Sequence, residues 1–256
     1  WLLRFFLALR TFPRGYKSAT LDKGRREKKA LVRQEDKQLV PLEHSVKRYA
    51  EVLKDLGFPL SVPYQLGGLQ ARELAPQLAP FFATTRLRVG IAPFAKHRGK
   101  RYDLDMMLAL VKKLHKRGIQ IFLFGARAEE QFLLERWVTM PDLVVVPKLG
   151  LNLLEELVLM RHLDLMVAMD SANMHLASWA GTRVISVWGA THPYAGFYGW
   201  GQEETLAVGR DDLACRPCSV YGNKPCLRGD YACLDHSVDE LYKRALALLP
   251  LSTEEA

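Results

Sequence analysis

Between residues 87 and 189 the chain alternates regularly between short apolar segments and segments with apolar residues at helical spacing. The apolar segments predict strands over 87–94, 119–125, 143–146, 163–169 and 184–188. The segments between them predict helices over 103–117, 129–138, 153–161 and 173–180. Strands that are apolar throughout and alternate with helices are typical of a parallel sheet covered on both faces, so we predict a doubly wound α/β fold.

Four residues that can contact a ligand each follow a predicted strand closely. These residues are Lys100, Gly125, Asp170 and Gly189. In doubly wound sheets, ligands bind at the carboxyl ends of the strands. We therefore expect the four residues to share one rim of the sheet and to form a single ligand site there.

The segment 170–177 combines an acid, a hydroxyl and a histidine at the predicted start of a helix. Unpaired N–H groups and the helix dipole make such a start favourable for anions, phosphates above all. Asp170 could accept hydrogen bonds from sugar hydroxyls, or it could simply cap the helix. Two interpretations stay open: a nucleotide-sugar site, or an ordinary capped helix whose His175 faces the core.

Three other segments at the predicted rim carry residues suited to a nucleotide. The loop 93–102 contains four lysines and arginines before a helix, which suits a diphosphate, although basic loops are also common on protein surfaces. Glu129 opens the next helix, where an acid could contact ribose or merely favour the helix dipole. Gly189 allows the backbone to approach a ligand, and Thr191 adds a hydroxyl.

Composition and charge restrict the class of protein. The chain has 256 residues, is 49% hydrophobic and carries a net charge of +8, which indicates a globular protein. No apolar run approaches the roughly 20 residues of a membrane span, and residues 1–10 lack the order of a signal peptide. Residues 1–56 hold 14 Lys and Arg against 7 Asp and Glu. The basic run 23–29 is best interpreted as a solvated helix face that could also attract an anionic membrane. It lacks aromatic residues for base stacking, so no nucleic-acid partner is expected.

The front of the chain is less regular than the rest. Helices are predicted over 23–33 and 44–56, and the proline-containing segment 57–86 is predicted to be a linker with irregular structure. The front holds too few strands for a second doubly wound domain. We therefore divide the chain into 1–85 and 86–256, the second part ending with a helix over 239–249.

Taken together, the motifs resemble the ADP-heptose:lipopolysaccharide heptosyltransferase family, which is glycosyltransferase family 9. The resemblance rests on Asp170 to Ala177, on Gly181-Thr182-Arg183 and on Gly189 to Pro193, with Pro93-Phe94-Ala95 upstream in the family's order. It covers about residues 20 to 250. It implies a GT-B-like fold in which 86–256 is the Rossmann-like donor domain, and in which 1–85 is a truncated N-terminal acceptor domain.

The resemblance also implies a reaction and a set of site residues. The donor would be bound by Lys100 at the diphosphate, by Glu129 and Leu149 at the nucleoside, and by Asp170, Ser171, Ala172 and His175 at the sugar and phosphates. Additional contacts would come from Ala95, Lys96, Gly189 and Thr191. The implied reaction is an inverting, metal-independent transfer of a heptose from a nucleotide-diphosphate donor such as ADP-heptose to a lipid-linked acceptor of the lipopolysaccharide core type. The protein would be cytoplasmic, peripheral at the inner membrane, and would require no cofactor for catalysis.

The sequence departs from the family pattern in two places. Ala172 stands where the family has glycine, and we expect its methyl group to weaken donor binding if the backbone there needs a positive φ. The family's first strand, with the acid that serves as general base, has no match, and the chain begins with Trp1 rather than Met. We therefore expect a chain that is not a complete reading frame and assign no catalytic residue. The alternative function is a non-catalytic, nucleotide-sugar-binding remnant.

All four cysteines of the chain lie in one short segment near its end. They are Cys215, Cys218, Cys226 and Cys233. Their clustering suggests a structural Zn²⁺ site with tetrahedral thiolates, although the second pair is more widely spaced than in a zinc ribbon. Reduced buried thiols and disulfides are the alternatives, and disulfides would need an oxidising compartment.

Overall fold

The computed structural model describes residues 17–62, 69–125, 128–138, 140 and 142–250. The segment 1–10, whose sequence lacks the order of a signal peptide, lies outside the described residues, as do parts of the predicted linker 57–86. No helix in the described part of the chain is both long and apolar enough to cross a membrane.

The centre of the fold is a parallel sheet of six strands. In chain order they are β1 Arg88–Ala92, β2 Gln120–Leu123, β3 Val144–Val145, β4 Leu165–Met169, β5 Val184–Val187 and β6 Ala207–Val208. Their order across the sheet is β3-β2-β1-β4-β5-β6, and every neighbouring pair is parallel. The strand order reverses direction between β1 and β4, which is the switch point where such sheets bind ligands.

Helices cover both faces of this sheet. In chain order they are α1 Arg25–Leu31, α2 Ser45–Asp55, α3 Ala79–Phe82, α4 Leu104–Lys116, α5 Ala128–Trp137, α6 Leu153–Arg161, α7 Ala172–Ala180 and α8 Val238–Leu248. Buried side chains of α4, α5 and α8 form one hydrophobic cluster on the sheet, and those of α6 and α7 form a second. The predicted α/β, doubly wound architecture is confirmed.

The side chains of β4 show how the two clusters are divided. Leu165, Val167 and Met169 belong to the first cluster, whereas Met166 and Ala168 belong to the second. Successive residues of a strand point to opposite faces, so a strand with helices on both sides must be apolar at every position. This explains why the sequence shows continuous apolar runs instead of an alternating pattern.

The helices begin and end at recognisable signals. Asn152 caps α6 with a complete capping box that includes Glu155, and Asp103 caps α4 by accepting bonds from two backbone amides. Gly181 ends α7 with a φ of 87°, a conformation that favours glycine. These caps explain why the helix boundaries agree closely with those predicted from the sequence.

Two expectations about regular structure were wrong. The strand at 184–188 was predicted to be the last, but β6 pairs in parallel with β5 and extends the sheet. The segment 57–86 was predicted to be an irregular linker, yet Leu69, Ala75 and Leu78 are buried in the second cluster. These residues cover apolar surface that α6 and α7 leave open, so part of this segment belongs to the core.

The helices α1 and α2 lie against the segment that follows β5. The amide of Leu42 donates to the carbonyl of Tyr194 at 2.9 Å, and the amide of Ser45 donates to the carbonyl of Gly196 at 3.0 Å. His44 Nε2 lies 2.8 Å from the carbonyl oxygen of Tyr198. Backbone hydrogen bonds therefore attach the front of the chain to the loop that follows β5, at the carboxyl ends of the strands.

The interpretation of the run 23–29 as a solvated face is only partly correct. Arg25, Arg26 and Lys29 are exposed, but Lys28 is buried, with 7% of its surface accessible. Lys28 faces the segment after β5 because the amphipathic pattern of this short helix turns one lysine inward. The sequence of a basic stretch alone does not show which of its lysines is buried.

Candidate functional site

Three residues from separate strand ends meet at the rim of the sheet. Lys100 Nζ lies 2.9 Å from Oδ2 of Asp170, and Thr191 Oγ1 donates a hydrogen bond of 2.7 Å to the same oxygen. The three residues follow β1, β4 and β5 respectively, so the expected shared rim is confirmed for them. Asp170 is buried, and a buried carboxylate is stable only when it is paired in this way.

The glycines next to these residues allow two loops to approach each other closely. The amide of Ala190 donates to the carbonyl of Gly99 at 2.8 Å. A Cβ on Gly189 would stand 2.5 Å from the same carbonyl oxygen and would also collide with Leu234. Gly189 was expected to let the backbone approach a ligand. In the structure it lets the loop after β5 pack closely on the loop that carries Lys100.

Ser171 is the N-cap of α7, and its hydroxyl has no partner. Its Oγ is buried, makes no capping bond and has no hydrogen-bond partner among the described residues. Native proteins rarely leave a buried polar atom unsatisfied, so a water molecule or a ligand is needed to supply the missing bond. Free amides of the first turn lie beside it and favour an anion.

Ala172 and His175 occupy the first turn of α7. Among the described non-glycine residues only Asp36, Asp142 and Tyr231 have a positive φ, so the methyl group of Ala172 causes no backbone strain. His175 is exposed to a cavity, and partial burial of its imidazole lowers the pKa of that group, while the Asp170 carboxylate acts in the opposite direction. The alternative of an ordinary capped helix with a core histidine does not describe this segment, because His175 is exposed.

The remaining predicted donor-site residues lie at the same edge without contacting the Lys100–Asp170 pair. Glu129 is exposed in the first turn of α5, after β2. Leu149 follows β3 and packs against the second hydrophobic cluster. Ala95 is buried and Lys96 is exposed, and the backbone carbonyls of both accept hydrogen bonds from Arg101.

Sequence reasoning missed a buried arginine that supports the rim. Arg216 Nε donates to the carbonyl of Gly189 at 2.9 Å, and its Nη1 pairs with Oδ1 of Asp211. His192 Nε2 lies 3.4 Å from that same oxygen. Burial and the neighbouring Arg216 lower the pKa of His192 to about 4, so its imidazole is neutral at pH 7. Arg216 lies between two cysteines, and no spacing in the sequence indicated this role.

The four cysteines line one narrow cavity of about 10 Å³. All four are free thiols, and burial raises the pKa of Cys218 and raises that of Cys233 to about 11. Across the described residues, no group of three or more His, Cys, Asp or Glu side chains is arranged to hold a metal ion. The structure therefore shows reduced, partly buried thiols, and a structural zinc site stays a prediction.

The fold and the rim define a doubly wound α/β protein with a polar site at the switch point of its sheet. The sequence model of the family named glycosyltransferase family 9 (heptosyltransferase) matches residues 8–225 of this chain. The chain belongs to this family. No curated protein matches the sequence significantly.

Solved structures share the fold at low sequence identity. The E. coli heptosyltransferase WaaC with ADP has a TM-score of 0.58 at 18% identity over 84% of this chain. For E. coli ADP-heptose lps heptosyltransferase II the TM-score is 0.59 at 19% identity over 84% of this chain. For a family 9 glycosyl transferase from Veillonella parvula the TM-score is 0.60 at 18% identity over 94% of this chain. The chain covers 60%, 63% and 64% of these proteins, less than two thirds of their length. The expected GT-B-like fold class is confirmed.

Proposed function

We propose that the rim binds a nucleotide-sugar donor and that the protein transfers a heptose, or a similar sugar, to a lipid-linked glycan of the lipopolysaccharide core type. The observation that carries the proposal is the Lys100–Asp170–Thr191 cluster beside the unpaired hydroxyl of Ser171 at the start of α7. Similar proteins support ADP as the nucleotide, since WaaC was solved with ADP and with ADP-2-deoxy-2-fluoro heptose.

Each residue of the cluster has a task that follows from its chemistry. The Lys100 ammonium and the free amides of α7 would bind the diphosphate, and the Ser171 hydroxyl would donate to a phosphate oxygen. The Asp170 carboxylate would accept hydrogen bonds from sugar hydroxyls. Glu129 and Leu149 would contact the nucleoside, because they follow β2 and β3, which lie on the side of β1 away from β4.

The same groups suit an inverting transfer without a metal ion. The acceptor hydroxyl attacks the anomeric carbon, the bond from that carbon to the diphosphate oxygen breaks, and the nucleoside diphosphate leaves with the bonding electrons. Lys100 and the helix amides would stabilise the negative charge that develops on this leaving group. We assign no described residue as the base that takes the acceptor's proton.

The alternative function is donor binding without transfer. It rests on the observation that the described residues form a candidate donor site, while none of them is assigned as the base that takes the acceptor's proton. Release of ADP from ADP-heptose in the presence of a deacylated lipopolysaccharide core acceptor distinguishes the two functions. Binding of ADP without acceptor-dependent release would favour the non-catalytic function.

Location and metal content are further parts of the proposal. The exposed residues Arg25, Arg26 and Lys29 support a peripheral position on the anionic cytoplasmic face of the inner membrane. Co-sedimentation with vesicles that contain anionic lipid tests this. The sequence clustering of the four cysteines is what supports a structural zinc ion, since their side chains are not arranged around a metal in the described residues, and elemental analysis of the purified protein tests it.

Calorimetric titration with ADP tests the donor site directly. We expect Lys100→Met to weaken ADP binding by about tenfold or more, because a charge-assisted hydrogen bond contributes roughly 1.5–3 kcal/mol. Lys112→Met is the matched control, since Lys112 is an exposed lysine on α4 away from the rim. The proposed donor site would be refuted if both variants lost the same amount of ADP affinity. It would also be refuted if the wild-type protein bound none of ADP, GDP and UDP.

A further inference from the structure

A second concave site lies outside the rim, between the front helices and α7. It is a cavity of about 410 Å³ whose walls come from α1, α2, α7 and the segment after β5. The residues that matter for its chemistry are Lys28, Tyr49, His175, Trp179, Phe197 and Tyr221. A pocket of this size with mixed aromatic and polar walls is typical of a site for a small ligand.

Lys28 is the buried cation of this cavity. Its Nζ lies 4.2 Å from the centroid of the Phe197 ring, and no carboxylate of the described residues forms an ion pair with it. The carboxylates of Glu27 and Asp22 act on its charge without contacting it, and they only partly offset the effect of burial on its pKa. A buried ammonium without a carboxylate is costly, and one aromatic ring offsets only part of that cost. Burial accordingly lowers the pKa of Lys28. An anion in the cavity would supply the charge partner that Lys28 lacks.

Two other cations line the cavity: Lys23 is exposed to solvent, and Arg48 is already engaged by protein groups. Arg48 Nη1 forms an ion pair with Asp22 at 3.2 Å, and Arg48 Nε donates to the carbonyl of Glu43 at 3.1 Å. Arg48 therefore adds positive potential but has protein partners of its own. Lys28 is left as the group that can bind an incoming anion directly.

The walls of the cavity suit a sugar ring. Tyr49, Trp179 and Tyr221 are exposed although they are large aromatic residues, and Tyr221 lies 5.8 Å from Phe197 between ring centroids. Exposed aromatic residues grouped around one pocket mark a binding surface, because a folded protein otherwise tends to bury such side chains.

The cavity is connected to the donor site through His175. This residue lines the cavity and stands in the first turn of α7, the helix that Ser171 caps directly after Asp170. A ligand in the cavity would therefore lie beside a sugar held by Asp170.

We propose that this cavity is a separate anion-binding subsite in which Lys28 binds a phosphate or carboxylate group carried by the sugar acceptor. The assignment of this ligand as acceptor rests on the proposed function, because only that function places a donor sugar at the neighbouring rim. The anion site itself rests on the burial and lack of a carboxylate partner of Lys28. No bond is made or broken in the cavity.

Titration of the protein with three monosaccharides, followed by heteronuclear NMR at low ionic strength, tests the proposal. Glucose 6-phosphate carries a phosphate, glucuronate carries a carboxylate, and glucose is the neutral probe. Each titration is done with and without saturating ADP, so that anion binding at the rim is separated from binding in the cavity. We expect one or both anionic sugars to bind in the presence of ADP, and glucose to bind at least about tenfold more weakly. Which anionic sugar binds identifies the anion.

Lys28→Met and Lys29→Met form the matched pair of variants. They remove the same charge from adjacent positions of α1, but only Lys28 is buried. We expect at least about tenfold weaker binding of the anionic sugar in Lys28→Met, wild-type binding in Lys29→Met, and restoration in Lys28→Arg. ADP titration of Lys28→Met shows whether the rim is still folded.

The outcomes separate this inference from the proposed function. If ADP binds but neither anionic sugar does, or if Lys28→Met and Lys29→Met behave alike, the anion subsite is refuted and the donor site remains. If ADP fails to bind while a sugar anion still depends on Lys28, the subsite remains and the proposed function falls.

Discussion

The Thr191 hydroxyl donates a 2.7 Å hydrogen bond to Oδ2 of Asp170, the same oxygen that Lys100 contacts. This bond joins the ends of β4 and β5 inside the protein, where Thr191 is completely buried. It holds one carboxylate oxygen of Asp170 between two donors, the Thr191 hydroxyl and the Lys100 ammonium. The orientation of Asp170 thus depends on a residue in a different loop.

Replacement of Thr191 with valine tests this dependence. The two side chains have the same shape, but valine leaves a buried carboxylate with one donor fewer. We expect a loss of about 1–3 kcal/mol in the free energy of unfolding and weaker ADP binding, measured by urea denaturation and calorimetry. Thr191→Ser, which keeps the hydroxyl, should retain most of the ADP affinity. Equal ADP affinity in Thr191→Val and wild type would contradict the role of this bond.

Replacement of Ser171 with alanine separates ligand binding from stability. Its hydroxyl makes no hydrogen bond in the described structure, so we expect the free energy of unfolding to change by less than about 0.5 kcal/mol. ADP affinity should nevertheless fall several-fold, because the phosphate loses a donor.

The matched control for this prediction is Ser178→Ala on the same helix. The hydroxyl of Ser178 donates to the carbonyl of Met174 at 2.7 Å, so it already has a partner. We expect ADP affinity to stay at the wild-type value in Ser178→Ala. If both serine variants bind ADP as the wild type does, the hydroxyl of Ser171 has no ligand.

His192 should make stability depend on pH. Its pKa is lowered from 6.5 to about 4, so the unfolded chain takes up a proton before the folded protein does. The resulting stabilisation is complete above pH 6.5 and is lost as the pH falls towards 4, by as much as about 3 kcal/mol. In His192→Asn, which can still accept the bond from the Tyr194 amide, we expect a flatter dependence in urea denaturation between pH 7.5 and pH 4.5. Parallel curves for the two proteins would show that His192 does not titrate as inferred.

Arg216 should be important for both stability and donor binding. Methionine at this position would leave the carbonyl of Gly189 without its donor and Asp211 without its buried partner. We expect a loss of about 1–3 kcal/mol in the free energy of unfolding, measured by denaturant titration. Most of it comes from the Gly189 carbonyl, because the Asp211 carboxylate is 77% exposed and water can solvate it. ADP affinity should fall in addition, because Gly189 and Thr191 belong to the same loop.

Arg210 offers the comparison for Arg216. It forms a bidentate pair with Asp212 on the surface, where solvent screens the charges. Arg210→Met should therefore lower the free energy of unfolding far less than Arg216→Met and should leave ADP affinity unchanged. Similar losses in the two variants would mean that burial of Arg216 is not what matters.

The sheet was predictable because its strands and helices carry strong local signals. The residues of α6 match the predicted helix 153–161, and its capping box is visible in the sequence as Asn152 followed by Glu155. The strand β6 was missed because two residues carry no periodicity and become a strand only by pairing with β5. Strands of this length are defined by their neighbours rather than by their own sequence.

The centre of the site was predictable for a topological reason. Once the sheet is known to be parallel, residues that follow β1, β4 and β5 must lie at the same rim, where the strands end. This placement brings Lys100, Asp170 and Thr191 together. Their role in donor binding stays a prediction. Arg216 and Lys28 could not be predicted, since burial of a long charged side chain depends on which loops close over it. No local pattern encodes that closure.

The strand order has a consequence for how the protein forms during translation. The central strand β1 precedes both β4 and β5 in the chain, so Lys100 leaves the ribosome well before its partners Asp170 and Thr191. Until β4 is synthesised, one edge of β1 has no neighbour, and an unpaired apolar strand can associate with other nascent chains. Pairing with β4 therefore protects that edge and brings Asp170 to Lys100, and Thr191 completes the rim only after β5. A ribosome that stalls before β4 would hold an aggregation-prone chain that lacks the paired rim.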